Sequence, residues 1–494
     1  VPMLKTIDGG KTIQYVKGIS HGDHHDIWFD PTDPKRMIVA NDGGVNVSRN
    51  GGANWYAPHL PISQFYHASV DNRHPYHVAG AMQDLGTAQA PSDTLTTGGI
   101  HLTDWHDVGG GEAGHVYSDP SDPNIVYAGE YLGIITRYDH RTKESRNVSA
   151  WPENPSGKGG EDMKYRFQWT APITGSPSDP KVVYHGAQVI FRTTDGGQSW
   201  TAISPDLTRN DKSKQKWTGG PITGDNTGVE TWTTIFAVAE SPRAKGLIWA
   251  GSDDGLVHVT RDGGGTWTNV TSRMNGLPRD GTISLIEPSP HDAATAYVVV
   301  DAHRLDDMRP YLFKTSDFGQ TWQRLDAGLQ QDVYLHAVRE DPKRRGLLYL
   351  GTERGVMVSF DDGRSWRSLR LNLPAAVPVH DLVVKDDNLV VGTHGRSIWV
   401  LDDLQPVREL SPAIEAKPAH LFAPAPATLW AYSSGNRERP AGQNPARGAV
   451  IHYWVKDEIK TPLTIEIADA AGRVIRTLSS EPEPWDGVDD FEPD

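Results

Sequence analysis

Two carboxylates in this sequence stand where acid–base chemistry could be done. Asp84 lies in "GAMQDLGT", a glycine-containing loop straight after the strand-like "YHVAGAM". Glu112 lies in "VGGGEAGHVYSDP" and opens the next strand-like segment, behind three glycines that leave the backbone free to approach a ligand. Inverting cleavage of a glycosidic bond needs two such groups about 6.5–9.5 Å apart, one protonated as acid and one ionised as base. Acids from adjacent units can meet that spacing. Their alternative employment is to cap loops and bond backbone. Gln83 and His115, beside the two acids, are the expected polar contacts for a ligand.

A second set is aromatic. Tyr66, Trp169, Trp232 and Tyr334 lie near the starts of strands in "QFYHASV", "RFQWTAP", "VETWTTIF" and "VYLHAVR". Aimed at an open mouth, such rings stack on sugars or grip a peptide; aimed between sheets, they are core. His336, His380 and His394 carry the same two readings, and His336 is kept as a ligand contact. The cluster "HGDHHD" (His21, Asp23, His24, His25, Asp26) is dense in metal-ligating groups. Strand alternation sends His24 and His25 to opposite faces, and the spacing fits no standard zinc signature. The expectation is a polar loop with His24 as a ligand contact, and no metal or cofactor is assigned.

The elements that must position these groups announce themselves by repetition. "TRDGGGTW", residues 260–267, fits S/T-x-D-x-G-x-S/T-W, and the phrase recurs from Thr6, Ser48, Thr193, Thr315 and Ser359, with Ile13, Asn50 and Asn54 as departures. A short Asp side chain can hold a turn by accepting nearby N–H groups, glycine supplies positive φ, and Trp can plug the hairpin onto its neighbour. This predicts a turn device and not a catalytic acid. Around it lies a larger unit of four short strands, with a period of about 40–65 residues. That is the pattern of β-propeller blades.

Bulk properties narrow the partners. The chain has 494 residues, 50 Gly, 35 Pro, 16 Trp and no Cys, so no disulfide, thiolate metal site or Cys nucleophile is available. A net charge of −15 disfavours nucleic acid. No apolar run approaches the ~20 residues of a membrane span. No G-x-S-x-G elbow, P-loop or H-E-x-x-H motif occurs.

Units start near residues 24, 62, 112, 165, 232, 280, 332 and 379. The expected architecture is all-β: residues 1–58 as closing blades of an upstream propeller, 62–405 as a seven-bladed β-propeller, 406–447 as a Pro/Ala-rich linker, and 448–494 as the start of an immunoglobulin-like β-sandwich. A single ring of eight or ten blades is the rival count. The chain is expected to be an internal piece of a longer protein, with the remaining propeller and sandwich as its partners.

The repeated phrase resembles the Asp-box of sialidase-type (BNR) repeats. "HGDHHDIWFDPTDPKRMIVANDGGVNVSRNGGANW", "QFYHASVDNRHPYHVAGAMQDLGT" and "GTHGRSIWVLDDL" resemble bacterial proteins with sortilin-type, BNR-like propellers, often labelled glycosyl hydrolases. The layout is more distantly similar to two-propeller xyloglucanases. Those carry a catalytic Asp in a "GD-x-GG" loop, a role the resemblance extends to Asp84 through Gln83-Asp84-Leu85-Gly86-Thr87. The arginine triad of a sialidase cannot be assembled. The resemblance implies an exported bacterial protein, secreted, periplasmic or at the cell surface. Its expected function is to bind a polysaccharide or a peptide/protein ligand at the propeller face. Paired-carboxylate glycoside hydrolysis and a structural scaffold are the alternatives.

Overall fold

The computed structural model describes residues 2–220, 222–224, 227–434 and 441–481. The acidic end from residue 482, and with it the end of the 448–494 segment, lies outside the described residues. The chain is all-β, built from small antiparallel sheets whose strand order follows the sequence. After a two-stranded sheet of Leu4–Lys5 and Gln14–Tyr15 comes one made by His24–Phe29, Met37–Asn41 and Gly44–Ser48, and then one made by Ser69–Val70, His77–Met82 and Gly86–Pro91. Five four-stranded sheets follow, opening with Val116–Ser118, Ile173–Ser176, Ile235–Glu240, Thr282–Pro288 and Leu335–Glu340. A three-stranded sheet of Val379–Lys385, Asn388–Thr393 and Ile398–Leu401 comes last in the series. No helix among the described residues is long and apolar enough to cross a membrane.

From residue 69 to residue 401 each sheet packs its apolar side chains on its neighbours. Ile248–Ser252 and Leu348–Thr352 are buried at every residue, as continuous apolar runs demand. Ala79 of the 69–91 sheet shares a cluster with Val116, Val126 and Ala128. Ile125 and Tyr127 meet Ile173 and Val183. Tyr184 and Ile190 meet Ile235 and Ile248. Trp249 meets Val298 and Phe313, Tyr297 meets Leu350, and Tyr349 meets Val391. The 379–401 sheet meets the 69–91 sheet in turn, through Val390 against Tyr76 and Val78. The 24–48 sheet differs, because Trp28 and Phe29 are about half exposed (51% and 49%).

The recurrent octapeptide closes its own turn. Thr193 Oγ1 donates to Asp195 Oδ1 at 2.8 Å and accepts the N–H of Gly197 at 3.0 Å. Asp195 accepts the N–H of Ser199 at 2.9 Å and its hydroxyl at 2.6 Å. These bonds hold the Asp195 carboxyl down at about 2, the Ser199 hydroxyl contributing most. Gly197 has φ 85°, and a Cβ there would lie 2.7 Å from Val148. The set recurs from Thr6, Thr260, Thr315 and Ser359. From Ser48, Asn50 Oδ1 replaces the carboxylate and accepts the N–H of Asn54 at 3.0 Å. The closing Trp fastens the turn to the preceding sheet: Trp200 Nε1 donates to Val148 O at 2.7 Å, Trp267 to Ile203 O at 2.9 Å and Trp366 to Leu325 O at 2.9 Å. The Asp carboxylates are thus fully engaged in their turns.

After Leu404 come two short helices, Gln405–Glu409 and Pro412–Glu415. Buried Arg408 reaches back to Asp341 at 2.8 Å and to Asp387, fastening this segment to two sheets. Asn444 bonds the loop at Thr94 and Thr96. The strand-like segments beyond form Tyr453–Val455, paired with Ala419–Leu421, and the hairpin Thr464–Ala468 with Val474–Ser479.

Candidate functional site

Two recurring positions set the site. The first lies on the opening strand of a sheet, where the register slips between Ile235 and Ala237, Ile283 and Leu285, Leu335 and Ala337, and Val379 and Asp381. A bulge leaves one residue unpaired and re-aims its side chain. The residues skipped are Phe236, Ser284, His336 and His380. The second position follows the second strand, where a backbone N–H reaches back across the sheet mouth. Gln83 bonds Gln64 O at 3.1 Å, Asp253 bonds Thr234 O at 3.0 Å, Glu353 bonds Tyr334 O at 3.2 Å and His394 bonds Pro378 O at 3.0 Å.

Side chains from these positions and the adjoining loops form a continuous line of rings. Tyr131 stacks on Trp169 with centroids 5.3 Å apart. Trp169 Nε1 donates to the Tyr66 hydroxyl at 3.0 Å. Tyr66 lies 5.3 Å from His394, His394 stacks on His380 at 4.2 Å, and His380 lies 4.1 Å from His336. Tyr334 follows at 5.1 Å and His303 at 4.7 Å. Burial raises the Tyr66 hydroxyl and lowers the His380 and His394 imidazoles, so all are neutral near pH 7.

The two acids join one end of this line. Gln83 Oε1 bonds the Tyr66 hydroxyl, and Gln83 Nε2 donates to Asp84 Oδ1 at 2.9 Å and to Glu112 Oε2 at 3.1 Å. The N–H of Asp84, itself at φ 61°, donates to Glu112 Oε2 at 2.8 Å. Burial pushes the Glu112 carboxyl up, helped by the neighbouring Asp84 and Glu130 charges and opposed by the Asp84 N–H. The Gln83 amide thus brings the two acids to one place in the fold. Both carboxylates accept from one amide nitrogen, Gln83 Nε2.

Behind the line lies a second layer of buried polar groups. His115 stacks on His67 at 3.7 Å, and its Nε2 is buried without a partner. His67 reaches Asp381 at 3.4 Å, and Arg339 bridges Asp381 and Glu287 at 2.9 and 2.8 Å. His336 Nε2 lies 2.9 Å from Glu353 Oε2. Burial would raise Glu353, but the hydrogen bonds from His336 and Tyr334 bring it below its ordinary value.

Of the residues singled out in the sequence, Tyr66, Gln83, Asp84, Glu112 and Trp169 come together, and His336 lies along the same line. His115 sits one layer behind. Trp232 stands apart, with Lys214 Nζ 5.5 Å from its ring and its indole N–H buried without a partner. His24 stands apart too, on the 24–48 sheet. The "HGDHHD" histidines diverge: His25 pairs with Asp42, and His21 faces Asp23 at 3.8 Å. Sequence reasoning missed His67, His303 and Glu353. Aligning "AMQDLG", "GSDDGL", "GTERGV" and "GTHGRS" as one turn would have found Glu353, because these phrases share the backbone bond described above.

No protein-family model and no curated protein matches this chain. Among solved structures, it is similar to a GH74 xyloglucanase from Xanthomonas campestris, with 17% identity and a TM-score of 0.48. The match covers 70% of this chain and 53% of the xyloglucanase, so this chain spans about half the length of that protein. It is also similar to YCF48 from Cyanidioschyzon merolae (14% identity, 76% and 94% covered, TM-score 0.39). A third similarity is to the extracellular domain of BT4673 from B. thetaiotaomicron (12% identity, 70% and 39% covered, TM-score 0.44). All three scores lie below 0.5, so the strand pairing and burial described above define this chain's architecture.

Proposed function

We propose that the sheets of residues 62–405 form a seven-bladed β-propeller of the Asp-box type that binds an extended ligand, glycan or peptide, on its ring-lined face. The contact of Val390 with Tyr76 and Val78 supports closure of last blade on first, as does the bridge between Gln64 and His394. Residues 1–58 then belong to another propeller, residues 448–494 begin a sandwich, and the setting is exported. One observation carries the binding reading: the unbroken line of rings from Tyr131 to His303 across loops of successive sheets. Such a line offers flat apolar faces with polar edges, suited to sugar rings or to peptide groups. The test is binding of the full chain to arrayed polysaccharides and arrayed peptides, repeated with Trp169→Ala. Retention on one class, weakened by the substitution, supports the reading. Retention on neither, or retention indifferent to Trp169, overturns it.

A second reading is glycoside hydrolysis with Glu112 as acid and Asp84 as its partner, favoured by the raised Glu112 carboxyl beside a second acid. The pair then works as in an inverting hydrolase, one carboxyl protonated as acid and one ionised as base. Release of reducing ends from a polysaccharide, abolished by Asp84→Asn, is its signature. Release that survives Asp84→Asn removes Asp84 from the chemistry.

A further inference from the structure

We propose that His336, Glu353 and His380 bind one divalent transition-metal ion of the zinc class, leaving coordination positions free for a donor atom of a ligand. Nothing in the binding reading requires this site. One donor atom from each of the three residues lies within 4.8 Å of the others. His336 Nε2 and Glu353 Oε2 are already 2.9 Å apart. An ion about 2.0–2.2 Å from each donor needs donors roughly 3.5 Å apart, so about 1 Å of side-chain adjustment closes the set. The ion takes the place of the proton that His336 Nε2 and Glu353 Oε2 now share.

The fold aims these groups at one point. His336 and His380 are the skipped residues of two bulges on adjacent opening strands, which turns both imidazoles the same way. Their rings lie 4.1 Å apart. Glu353 is held by its own backbone N–H to Tyr334 O at 3.2 Å, which sets the base of its side chain at the sheet mouth. Among the described residues, no hydrogen bond engages the His380 ring, which stacks on His394 and meets His336 at a tilt of 33°. Two imidazoles and one carboxylate suit zinc and its neighbours; calcium and magnesium prefer all-oxygen sets. Three protein donors leave a tetrahedral ion one position short, and that position opens among the rings proposed to hold the ligand.

The test is equilibrium dialysis of the full chain against Zn²⁺ with metal analysis, and Co²⁺ absorption as a probe of geometry. One ion per chain is expected. His380→Ala and Glu353→Gln should each weaken binding at least about tenfold, the loss that outer-shell changes alone produce. His25→Ala, in the other histidine cluster, should leave it unchanged. Less than one ion per chain, or affinity that His380→Ala and Glu353→Gln share with the unaltered chain, overturns the site. Melting of each metal-free variant reports whether it folds. Where a variant does not, the unaltered chain decides: an intense visible Co²⁺ band supports a four-coordinate nitrogen–oxygen site, and a weak hydrated-ion spectrum overturns it.

Discussion

The carboxylate of Glu112 accepts the backbone N–H of Asp84 at 2.8 Å, which ties the protonation of one acid to the loop that carries the other. Burial keeps Glu112 protonated to higher pH than an ordinary glutamate. A carboxyl raised in the folded chain contributes stability below its ordinary value and loses it as pH rises through the raised one. Glu112→Gln should remove that part of the pH dependence, read as the difference in urea midpoint between the two chains across acidic to neutral pH. Identical pH profiles would show that Glu112 titrates normally.

Trp169 holds two contacts at once, a stack on Tyr131 and a hydrogen bond to the Tyr66 hydroxyl. Trp169→Ala should weaken binding of any glycan or peptide found to be held by about tenfold, equivalent to ~1.4 kcal/mol. Calorimetric titration checks it. A melting temperature close to that of the unaltered chain shows that the loss belongs to the ligand and not to the fold.

Asp253 is buried with its Oδ1 on the Thr234 N–H at 2.9 Å and its Oδ2 2.6 Å from the Thr234 hydroxyl. Burial raises its carboxyl to about 8, helped by the adjacent Asp254 charge. Between its ordinary value of 3.8 and about 8 the folded chain keeps a proton that the unfolded chain releases. The stability it contributes is therefore whole below that window and lost as pH rises through it. Asp253→Asn keeps both hydrogen bonds without ionising. Its stability relative to the unaltered chain should rise from pH 4 to pH 8, and parallel curves would contradict this.

The octapeptide tryptophans allow an internal comparison. Trp267 donates to Ile203 O at 2.9 Å, whereas the buried Trp322 Nε1 has no partner. Trp267→Phe should cost ~1 kcal/mol beyond Trp322→Phe, because only the first leaves a carbonyl without its donor. Denaturant titration of the two variants measures the difference, and equal costs would show that the indole bond adds nothing.

Arg408 carries the junction between the sheets and the segment that follows them. Its side chain is 5% exposed and meets Asp341, whose side chain is fully buried. Arg408→Ala should destabilise the 335–401 region by about 3–5 kcal/mol, because it strands a buried carboxylate. Hydrogen exchange of those strands is the measurement, and unchanged protection would show that Asp341 finds other partners.

Local chemistry in the sequence determined the turns and sheets. A side chain that satisfies its own backbone four residues on, as Asp195 does with Ser199, needs no distant partner, so its role is written in eight residues. The same holds for the strands, whose apolar runs and turn residues repeat from unit to unit. The nearness of Asp84 to Glu112 was legible as neighbourhood, since adjacent units make adjacent sheets. Their separation was not, because it depends on where the Gln83 amide comes to rest between them. His336, Glu353 and His380 were further out of reach. Strand alternation assigns each residue a face, but a bulge shifts the register by one and overrides that assignment. Only the packing of one opening strand beside the next decided that two histidines and a glutamate from separate turns share one point in space.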